Sequence, residues 1–84
     1  MVDEEFEQEV IEALTNASSK FGIPIKDIVG RCRRRDIVQA RHAVWRTLNV
    51  CGYGYRRIAR KFGVDVAAVA RAVKKGNINV PRQN

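Results

Sequence analysis

The densest set of functional groups in this chain is Arg31-Cys32-Arg33-Arg34-Arg35, four guanidinium groups in five residues. A guanidinium is not a useful acid, base or nucleophile near neutral pH. It is a permanent cation with a planar fork of donors that matches the oxygens of a phosphate. The chemistry on offer is therefore anion binding, and the alternatives are a solvated loop or a targeting signal. Groups suited to catalysis are sparse. His42 is the only histidine, with no carboxylate or cysteine at a useful spacing. It reads as a surface or helix-end residue, with a phosphate contact left open. Cys32 and Cys51 lie nineteen positions apart without a second pair, too few ligands for zinc. Both read as reduced thiols. There is no nucleophile–base pair, and the carboxylates are grouped only near the N-terminus. The sequence predicts no enzyme, no cofactor and no metal.

The 84 residues carry a formal charge of +7 and a pI near 10.1, which points to a polyanionic partner. Its distribution is sharper than its sum. Residues 1–20 hold six carboxylates against Lys20, whereas residues 21–84 hold fifteen basic residues against Asp27, Asp36 and Asp65. No apolar run approaches the about 18 residues needed to span a membrane, and the N-terminus is acidic, unlike a signal peptide. A cytoplasmic, nucleoid-associated protein is expected. A chain of this length makes one small domain with a modest core.

The basic run needs elements to position it, and residues 53–75 supply the most specific pattern. Ile58, Ala59 and Phe62 fall at helical spacing before Gly63, and Val66, Val69, Ala70 and Val73 do so after it. Glycine can end one helix in a left-handed conformation and let the next leave at a steep angle. Ala59 stands four residues before Gly63, where bulk would keep the helices apart, and Val69 six after it, where an apolar anchor is wanted. This is a helix-turn-helix, with Asp65 expected to cap its second helix. A plain αα-hairpin is the alternative.

Upstream, residues 3–21 read as an acidic amphipathic helix with Phe6, Val10, Ile11, Leu14, Ala17 and Phe21 as its stripe, and Phe6 and Phe21 in the core. Gly22 ends it. A short helical turn follows over residues 25–29, then a basic loop over 30–36. Asp36 is expected to cap a third helix over 37–50, whose inward stripe is Ile37, Ala40, Ala43, Val44 and Leu48 with Trp45 at its flank; Arg41 and Arg46 point elsewhere. Tyr53 and Tyr55 are expected to pack against helix ends. The fourth helix, over 55–62, offers Arg56, Arg57 and Lys61 to phosphates, with Arg60 beside them. The fifth, over 65–75, is the recognition helix, with Val66, Ala67 and Ala68 first, Arg71 placed to read guanine, and Lys74 and Lys75 near phosphates. Residues 77–84 read as an irregular tail. The fold class is thus all-α, a compact bundle of about five helices occupying residues 1–84 as a single domain.

IPIKDIVGRCRRR, then QARHAVW, then YRRIARKFGVDVAAVARAV resembles in order the C-terminal DNA-binding domain of the bacterial replication initiator DnaA, a Trp-repressor-like helical fold. The resemblance covers nearly the whole chain. It implies that Arg31, Arg33, Arg34 and Arg35 form a loop entering the minor groove, and that Arg41, followed by His42, contacts the DNA backbone. That family has a phenylalanine-glycine, then arginine-aspartate-histidine-threonine-threonine-valine. This chain keeps Phe62, Gly63, Asp65 and Val69, has one residue fewer, and places Val66, Ala67 and Ala68 at the base-reading positions. Altered or relaxed specificity is the implication. No glycine-rich loop followed by lysine and serine or threonine occurs, so a free-standing relative without ATPase chemistry is expected.

The expected partner is double-stranded DNA, in regulation of replication or transcription. A non-specific DNA-coating protein is the alternative. A further one is a protein partner docking on the acidic first helix.

Overall fold

Apolar side chains three and four apart turn Phe6, Val10, Ala13, Leu14 and Ala17 to one side, and that stretch is α1 (Glu4–Phe21). Its first turn carries Glu4, Glu5 and Glu7, where the helix dipole favours negative charge. Gly22, at φ 67°, ends it, and the Ile23 amide donates back to the Ser18 carbonyl at 3.2 Å. Pro24 precedes the short α2 (Ile25–Val29). The remaining elements are α3 (Arg35–Val50), α4 (Tyr55–Phe62) and α5 (Val66–Asn77). The computed structural model describes residues 4–30 and 32–77, so Asp3, Arg31 and the tail residues 78–84 lie outside the described residues. Among the described residues there is no strand.

Helix α3 is the axis of the molecule, in contact with each of the other four, while α4 and α5 pack on one another. Its Ile37, Ala40, Val44, Trp45 and Leu48 meet Phe6, Val10 and Leu14 of α1, Ile28 of α2, Ile58 of α4 and Val69 and Val73 of α5 in one cluster. Ile28, Leu48, Ile58 and Val69 are fully buried, each contributing roughly 1.5–3 kcal/mol. The α4–α5 turn closes at Gly63, whose φ of 67° and ψ of 37° are left-handed. The Val64 amide donates to the Ala59 carbonyl at 3.0 Å and the Gly63 amide to that of Arg60 at 3.4 Å, a Schellman closure that any Cβ residue would strain. Ala59 is 2% exposed and Val69 fully buried, as the helix-turn-helix spacing requires.

Several expectations are corrected. Ile11 is 55% exposed and Ala13 takes its inward place, because the stripe on α1 drifts and leaves Ile11 among the glutamates. Phe21 is half-buried against the core rather than within it. Trp45 is not at a flank: it is 3% exposed, with Phe62 edge-on at 6.3 Å, and Ala43 is only half-buried. Helix α3 begins at Arg35, so Asp36 lies in its first turn instead of capping it; its carboxylate accepts from the Ile37 amide at 2.9 Å. Helix α5 runs through Gly76 to Asn77, two residues past the expected end.

Candidate nucleic-acid interface

The basic loop is short, and its backbone carbonyls point toward α3. Arg41 meets them. Its Nε donates to the Ile28 carbonyl at 2.8 Å, and its Nη2 donates to those of Gly30 at 2.8 Å and Cys32 at 3.0 Å. Three carbonyls that a turn would otherwise leave to solvent are thus gathered on one guanidinium, which locks the loop to the central helix. Arg41, which the resemblance places at the DNA backbone, thus builds the loop, and it also lines a cleft beside Arg33 and His42.

Held this way, the loop faces the helix-turn-helix. Arg33 lines a cleft of about 400 Å³ together with Trp45, Phe62, Gly63, Val64 and Ala68. His42 and Ala68 continue into a second groove of about 480 Å³ between α3 and α5, where they meet Arg71, Lys74 and Lys75. Among the described residues, no carboxylate lines either depression. Arg33, His42, Ala68, Arg71, Lys74 and Lys75 thus share one continuous cationic face.

On α5, Val69, Ala72 and Val73 turn inward, and Ala67, Arg71 and Lys74 form the outward stripe. Val66 is 41% exposed beside it. Asp65 is exposed just before the helix, and its carbonyl accepts from the amides of Ala68 at 3.0 Å and Val69 at 3.3 Å. Arg34 and Arg35 are exposed where the loop enters α3. Arg34 donates to Asp36 at 2.9 Å, and this hydrogen bond above all holds the Asp36 carboxyl below its usual range.

Two residues expected on this face lie elsewhere. Lys61 pairs with Glu7 of α1 at 2.6 Å, and the Arg57 guanidinium sits over the Phe6 ring at 4.4 Å and the Tyr53 ring at 5.2 Å. Positions four apart share a helix flank, so Arg57 and Lys61 together turn toward α1. Arg56 and Arg60 share the opposite flank, and both are exposed.

His42 is half-buried in mid-helix, with its ring 5.3 Å from that of Trp45. Burial first, then the charges of Arg46, Arg41 and Lys75, push its pKa below the ordinary histidine value. Arg46, one turn after His42, is half-buried. Cys32 and Cys51 are free thiols. Among the described residues no group of His, Cys, Asp or Glu could hold a metal ion, and no helix is long and apolar enough to cross a membrane.

The family described as Bacterial dnaA protein helix-turn-helix matches residues 10–75. No curated protein and no solved structure matches the chain. The match spans the loop, the central helix and both arms of the helix-turn-helix, the elements that build the cationic face. The chain belongs to the bacterial dnaA helix-turn-helix family of DNA-binding domains.

Proposed function

We propose that this protein grips double-stranded DNA across two adjacent grooves, with Arg33 and its neighbours in the loop at the minor groove and α5 in the major groove. The observation that carries this reading is that Arg33 and Ala68 line one cleft, which puts loop and recognition helix side by side. Phosphates are met by Arg34, Arg35, Arg56, Arg60, Lys74 and Lys75, permanent or strongly basic charges that fix register without reading sequence. Arg71, on the outward stripe of α5 nearer its first turn, can donate two hydrogen bonds to a guanine edge. Val66 and Ala67 offer only hydrocarbon, matched in the major groove by the thymine methyl. The role that follows is regulation of replication or transcription at sites of short, partly apolar readout.

A second reading is favoured by that same apolar first turn: a protein that coats DNA with little regard to sequence. Selection of duplexes from a random pool at fixed salt separates the two. A regulator yields a motif bound about 10³-fold more tightly than random DNA. A coating protein yields none, and its affinity for every duplex falls by roughly 0.9 log units per log unit of salt for each phosphate neutralised.

A further inference from the structure

We propose that the groove between α3 and α5 is a dedicated phosphate seat, built by His42 and Lys75 with Arg71 and Lys74 beside them, and that His42 takes up a proton when a phosphate group occupies it. The inference rests on the DNA-binding reading for the source of the phosphate, but its chemistry is local to the groove.

The residues facing His42 make the case. From its own helix come Arg41 and Arg46; from α5 come Lys75 and, across the same groove, Arg71 and Lys74; across the neighbouring cleft lies Arg33. Among the described residues, none of the groups in either depression is a carboxylate. The nearest carboxylate on α3, Asp36, accepts from Arg34 instead. A cluster of cations without counter-charge raises the free energy of the folded protein, and an incoming anion relieves it. Of the clustered cations, Arg41 is committed to the loop carbonyls. His42 on α3 and Arg71, Lys74 and Lys75 on α5 remain to line the groove between the two helices.

The imidazole gives this seat its particular property. Against the Trp45 ring and among cations, a second charge is unwelcome, so the ring stays neutral near pH 7. A neutral imidazole can donate from only one of its nitrogens, whereas an imidazolium donates from both. A phosphate in the groove reverses the local potential. The proton that then binds to the imidazole nitrogen comes from solvent, and the ring becomes a charge-assisted donor to a phosphate oxygen. Linkage sets the size of the effect: with one proton taken up, affinity rises by up to about tenfold for each unit the pH falls, between the pKa values of the free and the occupied seat.

His42 is the only histidine, so its ring signals in a proton NMR spectrum are assigned without mutagenesis. The test titrates that ring between pH 5 and 8 in the free protein, with inorganic phosphate, and with a short duplex. The proposal expects an upward movement of the ring's titration midpoint with the duplex. It also expects binding that strengthens as pH falls, a dependence that His42→Gln removes and Lys75→Gln reduces. A comparable movement with inorganic phosphate alone supports the seat and assigns it to free phosphate as well as to the DNA backbone. An unmoved midpoint while the duplex is demonstrably bound overturns the seat and leaves the DNA-binding reading intact. If no duplex binds at any pH and inorganic phosphate also leaves the ring unmoved, both fall.

Discussion

Arg41 and Ile28 stand thirteen residues apart and are joined by a hydrogen bond of 2.8 Å from the Arg41 Nε to the Ile28 carbonyl. With the two further bonds from Nη2 to Gly30 and Cys32, this makes the position of the arginine loop a property of α3. Replacing Arg41 by lysine keeps the charge but removes the fork, and one ammonium cannot span three carbonyls. Arg41→Lys should lower stability by about 2 kcal/mol, since hydrogen bonds from charged donors contribute roughly 1.5–3 kcal/mol and this one group is partly exposed. The distinctive readout is Cys32. Its half-buried thiol should be alkylated faster in the variant, by peptide mapping, with Cys51 as the internal reference. An unchanged Cys32 rate would mean the loop holds itself.

That relationship also marks where the sequence stops being informative. Periodicity was enough for the five helices, because the alternation of Ile58, Ala59 and Phe62, the left-handed Gly63 and the buried Val69 leave a single arrangement. Of the arginine run read as a loop, Arg33 and Arg34 precede α3 while Arg35 is its first residue. What Arg41, Arg57 and Lys61 do was not legible, because each finds its partner far along the chain: Gly30 and Cys32, Phe6, and Glu7. An arginine reads as a phosphate ligand until its neighbours in space are known. Ile11 and Trp45 were misplaced for a milder reason, since a helical stripe has edges and only packing says which edge is covered.

The helix-turn-helix should therefore be two-sided in its response to mutation. Arg56→Ala and Arg60→Ala should each weaken binding to every duplex and reduce the salt slope by about 0.9 per phosphate lost. Lys61→Ala should leave DNA affinity unchanged and cost at most about 0.5 kcal/mol of stability, as exposed ion pairs do. Arg57→Ala should cost about 1 kcal/mol of stability through its lost stacking on Phe6 and Tyr53, without a change in salt slope. Equal losses of DNA affinity on both flanks of α4 would contradict this division.

Arg34 is engaged by Asp36 in the free protein, and a phosphate must compete for it. Asp36→Asn should release it, so affinity for all duplexes should rise at low salt, while Arg33→Ala and Arg34→Ala should each lower it. The Asp36 carboxyl is depressed, which means its stabilising contribution is present above the ordinary aspartate pKa and lost as pH falls through the depressed value. Both groups are exposed, so the effect belongs in binding curves taken below the ordinary aspartate pKa more than in melting curves. A variant that binds no better than the parent at low salt would show the pair to be inconsequential.

The first turn of α5 makes the last and most specific prediction. Its Val66 and Ala67 are exposed hydrocarbon, and Arg71 is the donor one turn further on. In the best duplex from a selection, replacing contacted thymines by deoxyuridine removes only the methyl group and should weaken binding about fourfold per methyl, the equivalent of one buried CH₂ at ~0.8 kcal/mol. Arg71→Ala should change which duplex is preferred, because a lost bidentate contact to guanine forfeits roughly 1–3 kcal/mol of discrimination at that one position. Phosphate-directed substitutions such as Lys74→Ala should instead scale all duplexes alike. If deoxyuridine is tolerated everywhere and Arg71→Ala weakens all duplexes equally, α5 touches only the backbone, and the coating reading replaces the regulatory one.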